Sequence, residues 1–311
     1  MPIAVRPQFD WRLRTRTLPL GQRTLIMGIL NATPDSFSDG GQFLDPRAAL
    51  THALEMLDDG ADILDLGGES TRPNSTPVTP AEEQSRVLPV LRAILAARPN
   101  AILSIDTYHA ETARLAIESG AEIVNDVSGF LWDEAMAATC ASLNCGAVLM
   151  HTRDRPQQWR TLPALAPAEV LPLVLRELCV RRDAALAAGI RRDAIVLDPG
   201  FGFGKSFDEN FPLLAHLDTL HALGFPLLAG LSRKGFLRRT LQQAESIHVP
   251  NPVQSTHPNH SLQDATLAAN TAAILAGAHI LRVHDVRPAR QAAAIADRIL
   301  AAASPHSPSA D

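Results

Sequence analysis

AILSIDTYHAETARLAIESGAEIVNDVS, residues 101–128, holds one full turn of the pattern that organises this chain. An apolar run of β character (101–107) leads into a short polar loop. An alanine- and leucine-bearing segment of helical character follows, stopped at Gly120, and the next apolar run (122–128) begins at once. Outward in both directions the same unit recurs. The runs are TLIMGILN (24–31), ADILDLGG (61–68), AILSIDT (101–107), EIVNDVS (122–128), GAVLMHT (146–152), AIVLDPG (194–200), PLLAGLS (226–232) and HILRVH (279–284). Their near-continuous hydrophobicity suits parallel strands covered on both faces. Eight such units predict an α/β fold closed into a single-domain (β/α)8 TIM barrel rather than an open doubly wound sheet.

The bulk properties agree, since 311 residues with 46% hydrophobic content can bury one large core. The barrel is expected over residues 24–303, after an N-terminal extension (1–23) and before a disordered tail (304–311). A long exposed loop, rich in Pro, His, Ser and Asn, is expected at about 244–264. A net charge of −5 gives no reason to expect nucleic acid or an anionic membrane as partner, so the substrate is expected to be small. The first residues scatter arginines and lack the apolar core of a secretory signal, and no run approaches the roughly 18 apolar residues of a membrane span. Cys140, Cys145 and Cys179 are odd in number and show no C-x-x-C spacing, which reads as reduced thiols of a cytoplasmic protein.

Almost every apolar run ends in a residue capable of chemistry: Asn31, Glu69, Asp106, Asn125 with Asp126, His151, Asp198, Ser232 with Lys234, and Arg282 with His284. In a barrel these converge on the rim where active sites sit. For Asp126, Glu69 and His151, capping a helix or closing a turn is as good a reading as a direct role. The whole set resists that reading, because capping rarely calls for Lys, Arg and His at strand ends. Asp106, Asn125 and Asp198 supply acceptors and one amide, suited to a flat heterocycle with several N–H donors. Arg282, His284 and Asn31 suit a phosphate or diphosphate, and Lys234 could serve either group.

DPGFGFGKS (198–206) invites a phosphate-loop reading, but G-x-x-x-x-G-K-[ST] would need glycine where Pro199 stands, and Gly200, Gly202 and Gly204 alternate where G-x-G-x-x-G would not. A glycine-rich loop that lets backbone approach a ligand is the better reading. His248, His257 and His260 have irregular spacing and read as part of a solvated segment rather than a metal cluster.

Seven motifs taken together carry a resemblance. GILNATPDSFSDGG (28–41), LDLGGESTRP (64–73), SIDT (104–107), VNDVSG (124–129), LDPGFGFGKS (197–206), GLSRKGF (230–236) and RVHDV (282–286) resemble the ordered motif series of dihydropteroate synthases, over about residues 24–300. The resemblance implies a transferase of folate biosynthesis that condenses 6-hydroxymethyl-7,8-dihydropterin diphosphate with 4-aminobenzoate, with Mg2+, as a homodimer. By match to those motifs, Asp106, Asn125, Asp198 and Lys234 would hold the pterin, with Met150, Phe203 and Gly230 packed around it. Asn31, Arg282 and His284 would hold the diphosphate, with Asn31 also the metal-side ligand. Ser232, Thr71, Arg72 and Phe37 would shape the aminobenzoate site, and Asp35, Lys234, Arg282 and His284 would act in catalysis. Asp35 and Phe37, with Thr71, Arg72 and Pro73, are the candidates for loops that close over both substrates. MHTRDRPQQW (150–159) departs from the family pattern at Thr152 and Arg153, as does Asn74 after STRP. Two rivals are a pterin-binding methyltransferase and a paralogue that binds without turnover.

Overall fold

The computed structural model describes residues 5–32, 46–70, 77–248 and 258–303. A short antiparallel hairpin, β1 (Phe9–Arg12) and β2 (Thr17–Leu20), precedes the repeating units. The eight expected runs then supply β3 (Leu25–Asn31), β4 (Ile63–Gly67), β5 (Leu103–Asp106), β6 (Ile123–Asp126), β7 (Gly146–Met150), β8 (Ile195–Asp198), β9 (Leu228–Ala229) and β10 (Ile280–Val283). The helices between and after them are α1 (Pro46–Asp58), α2 (Pro80–Ala97), α3 (Ala110–Glu118), α4 (Met136–Leu143), α5 (Pro167–Ala187), α6 (Asn210–Ala215), α7 (Gly235–His248), α8 (Pro258–Leu275) and α9 (Val286–Ala303).

Every pairing in the eight-stranded sheet is parallel, in the order β8-β7-β6-β5-β4-β3-β10-β9. A further parallel bridge joins Leu197 to Leu227, with the Leu197 N–H donating to the Pro226 carbonyl at 2.9 Å, so the edge strands meet and the sheet closes. The barrel expectation is met, since closure removes the edges that an open sheet would expose.

Two apolar regions follow from the two faces of each strand. Leu25 and Met27, Ile63, Ile123, Val148, Val196, Leu228 and Ile280 point into the barrel. Their neighbours Ile26, Leu64, Val124, Leu149, Leu197, Ala229 and Leu281 point out against the helices. The hairpin closes the lower end: Trp11, Leu13 and Leu20 join the inner cluster, and the Trp11 indole Nε1–H donates to the Ala194 carbonyl at 2.9 Å. Residues 9–20, inside the stretch read as an extension, thus form the barrel's floor. The arginines scattered there are the outward half of the hairpin and its anchors, as with Arg6, which bonds Asp297 at 2.8 Å.

The stretch 244–264, expected as a loop, is helical at both ends, because α7 runs to His248 and α8 starts at Pro258. Polar composition misled there, because helices also carry polar residues. Residues 249–257 and the tail 304–311 lie outside the described residues.

Candidate active site

The strand alternation that sorts the core also sorts the polar residues. Counting in twos from the inward residues, β3 turns Asn31 inward, β4 Asp65, β5 Asp106, β6 Asn125, β7 Met150, β8 Asp198 and β10 Arg282. Register completes the arrangement, since Asn31 pairs with Gly67, Gly67 with Asp106, and Asp106 with Asn125, in one row across four strands. Gly230 follows β9, and a Cβ there would lie 3.9 Å from the Asp198 carboxylate and 4.0 Å from the Arg282 Cβ. The lack of a side chain keeps the space between them open.

Arg282 is the centre of this cluster. Its Nε donates to Asp65 Oδ2 at 2.6 Å and its Nη2 to Asp106 Oδ2 at 2.5 Å. Burial works against the guanidinium charge, but Asp65 and Asp106 outweigh it and hold the group above its ordinary range. Asn125 Nδ2 donates to the same Asp65 oxygen at 2.8 Å. Burial lifts the Asp106 carboxyl to about 7 despite Arg282, and lifts Asp198 as well despite the Gly200 N–H that it accepts at 2.7 Å. The Lys234 ammonium stands 4.0 Å over the Phe203 ring, and burial lowers it to about 8, opposed by Asp198. Ser232 and His284 meet one another, with Ser232 Oγ 3.0 Å from His284 Nδ1 and accepting the His284 backbone N–H at 3.2 Å. The aminobenzoate residue and the diphosphate residue of the sequence expectation are therefore neighbours.

Three rim residues go to structural work. Asp126 has the outward parity, and its carboxylate accepts the N–H groups of Ser128 (2.7 Å) and Phe130 (3.1 Å) to close a turn. His151, also outward, lies 3.1 Å from the Glu177 carboxylate of α5, and burial keeps its ring well below the usual histidine range. Glu69 accepts the Tyr108 hydroxyl at 2.7 Å.

The glycine-rich loop after β8 is built as backbone structure. Gly200 has φ +66°, and a Cβ there would come 1.9 Å from the His151 carbonyl oxygen. Lys205, fully inside, donates from Nζ to the carbonyls of Gly200 (2.7 Å) and Phe203 (3.3 Å), and burial drives it well below the usual lysine range. Of the unusual residues of the fifth loop, Thr152 donates its hydroxyl to the Asp154 carbonyl at 2.9 Å within its own loop, and Arg153 braces the glycine-rich segment. Arg153 Nη1 donates to the Gly204 carbonyl at 3.1 Å, and Trp159 stands edge-on to Phe203 at 5.3 Å. Arg181 of α5 ties the end of β7, donating to the Met150 and Thr152 carbonyls at 2.6 Å each.

Asp35, Phe37, Thr71, Arg72 and Pro73 lie outside the described residues, as do Asn74 and His257. Asp65, Lys205 and Arg181 were not singled out from the sequence. For Asp65 a signal existed, because a carboxylate in the middle of a buried run, two positions before Gly67, cannot be a loop residue.

The family profile described as pterin binding enzyme matches residues 27–284. The chain belongs to this family, among the dihydropteroate synthases. The dihydropteroate synthase of Clostridium beijerinckii is 38% identical over 290 residues, 93% of this chain and 99% of its own. The Xanthomonas albilineans dihydropteroate synthase solved with 4-aminobenzoic acid superposes with a TM-score of 0.80 at 38% identity, over 95% of this chain and 99% of that one. The same enzyme in complex with 7,8-dihydropteroate gives 0.77 at 37% identity, again over 95% and 99%. The chain is thus a transferase of folate synthesis. No helix among the described residues is long and apolar enough to cross a membrane.

Proposed function

We propose that the inward rim cluster condenses 6-hydroxymethyl-7,8-dihydropterin diphosphate with 4-aminobenzoate, giving 7,8-dihydropteroate and pyrophosphate, with the residue roles set out here. The observation that carries the reading is the position of Arg282, a cation held between inward carboxylates and flanked by Asn125 and Asp198. A donor-rich heterocycle and a polyanion would be recognised side by side by such a cluster.

Asp106 and Asp198 accept the pterin's N–H groups, Asn125 adds an amide, and Lys234 with Phe203, Met150 and Gly230 bounds the ring. Arg282, His284 and Asn31 take the diphosphate. Ser232 beside His284 shapes the aminobenzoate site, together with Thr71, Arg72 and Phe37 from the family resemblance, and Asp35 is assigned to catalysis on the same ground. The methylene C–O bond breaks, its electron pair leaves with the diphosphate, and the cation spreads into the dihydropterin ring. Arg282 and His284 stabilise the leaving group as its charge grows, and the two carboxylates face the cation. The aromatic amine then supplies the pair for the new C–N bond and gives up a proton. It needs no activated protein nucleophile.

Mg2+ fits this donor set. Among the described residues no three His, Cys, Asp or Glu side chains form a cage of their own. Magnesium is commonly held by one or two protein oxygens with substrate phosphates and water, and Asn31, at the end of β3 beside the Arg282 strand, would supply its amide oxygen as such a ligand. The ion would supply charge neutralisation on the diphosphate. A homodimer through the later helices is part of the proposal, supported by Ile295 and Ile299, exposed one turn apart on α9. A cytoplasmic setting is supported by three unpaired cysteines.

The test is pyrophosphate release from purified protein with the pterin diphosphate and magnesium. Release that depends on 4-aminobenzoate, with dihydropteroate identified by mass, supports the proposal. Pterin binding with no turnover would replace it with a binding paralogue.

A further inference from the structure

Asp65 is a carboxylate with no exposure, placed in the middle of β4. Burying such a charge is costly unless it is paired and hydrogen-bonded. Here one oxygen, Oδ2, takes both bonds: from Arg282 Nε at 2.6 Å and from Asn125 Nδ2 at 2.8 Å. The two donors belong to opposite halves of the cluster, the guanidinium on the diphosphate side and the amide on the pterin side. We infer that Asp65 is a positioning residue for the condensation, fixing the orientation of Arg282 and of Asn125 from a single buried oxygen. The inference rests on the roles proposed above for those two residues.

The consequence for each partner follows from donor and acceptor chemistry. An ionised carboxylate only accepts, so the Asn125 amide must turn its NH2 toward Asp65 and leave its carbonyl oxygen for the ligand. Asn125 then adds a third acceptor to those of Asp106 and Asp198, and the pocket selects a ring edge made of donors. Arg282 gives Nε to Asp65 and Nη2 to Asp106, which fixes the plane of the fork and directs its remaining N–H groups. A neutral side chain at position 65 would hold both partners less firmly. An asparagine oxygen could still accept from both donors, but without the charge that strengthens the two bonds, and its NH2 would stand buried where Asp65 Oδ1 has no hydrogen-bond partner.

Asp65→Asn should keep the fold and weaken binding of two separate probes by calorimetry, 6-hydroxymethylpterin alone and pyrophosphate with magnesium. The loss for each is about 10-fold, the scale of one charge-assisted hydrogen bond. The KM for 4-aminobenzoate should stay within about twofold. In the Asp65→Asn/Arg282→Lys double variant, pyrophosphate should bind no more weakly than in Arg282→Lys alone, because the two changes remove one arrangement. Additive losses, or wild-type affinity for both probes in Asp65→Asn, would overturn the positioning role. If Arg282→Lys and Asn125→Ala themselves leave both probes unaffected, the roles of Arg282 and Asn125 fail instead, which is a separate result. Should Asp65→Asn not fold, the Nε–H resonance of Arg282, assigned by its absence in Arg282→Lys, decides in the ligand-free wild type. A shifted, slowly exchanging proton supports the bond to Asp65, and a fast-exchanging one at the free-arginine position overturns it.

Discussion

Lys234 and Asp106 set the ionisation window of the site, because burial moves them toward each other, Lys234 down to about 8 and Asp106 up to about 7. Asp106 accepts from the pterin as a carboxylate, the form present above about 7, and Lys234 carries its charge below about 8. The kcat/KM for the pterin diphosphate should therefore peak between these values and fall on both sides. Lys234→Arg, which cannot lose its proton, should abolish the alkaline fall, and a pH–rate profile unchanged in that variant would refute the assignment. Arg282 carries a second consequence at this scale. It neutralises the buried Asp65, so Arg282→Ala should lose turnover and also stability, by about 3–5 kcal/mol for an uncompensated buried charge, read by denaturant unfolding. The pairing with Asp65 is why stability should suffer along with turnover.

At the scale of elements, the hairpin β1–β2 ranks with the barrel strands in importance to the core. Trp11 has no exposure and packs against inward residues of several strands. Trp11→Ala should cost about 3–5 kcal/mol, measured as a shifted denaturant midpoint, with kcat little changed because the floor lies at the opposite end from the rim. The hairpin was hidden in the sequence by its two four-residue strands, with alternating polar residues and no repeat partner. The eight barrel strands were plain because each is buried on both faces. The loop expected at 244–264 was drawn too wide at both ends, where 244–248 and 258–264 are helical, since composition does not report helix formation. Among the rim residues, period-two alternation separates Asp126 and His151 from Asp106, Asn125 and Asp198. That alternation is present in the sequence, and it becomes decisive once an inward reference such as Ile123 or Val196 is known.

For the whole molecule, acid stability is divided between opposed groups. His279 is buried, its Nδ1 accepts the Leu227 N–H at 3.0 Å, and burial lowers it to about 3, with His221 and Arg6 adding to the effect. The unfolded chain protonates this ring below the ordinary 6.5, so its contribution to stability is full above that pH and is lost as pH falls toward 3, at about 1.4 kcal/mol per unit. Buried carboxylates pull the other way: Asp126, raised to about 6, is protonated more readily in the folded state. The difference between wild type and His279→Gln isolates the histidine. That difference should be constant from pH 7 to 8 and shrink as pH drops from 6.5 to 5; a constant difference throughout would contradict the burial argument.

The sequence by itself determined the architecture and the membership of most of the site. Eight buried runs, each followed by a helical segment, leave closure as the arrangement that covers every edge, and chemistry-bearing residues at the run ends must then share a rim. Only the tertiary structure decided which of those residues face each other, and it added Asp65, Lys205 and Arg181 to them. Their partners stand far away along the chain, as with Asp65 and Arg282, and come together only when β10 closes beside β3. A buried charge takes its meaning from the partner that neutralises it, and that pairing is a property of the closed barrel, not of any one strand.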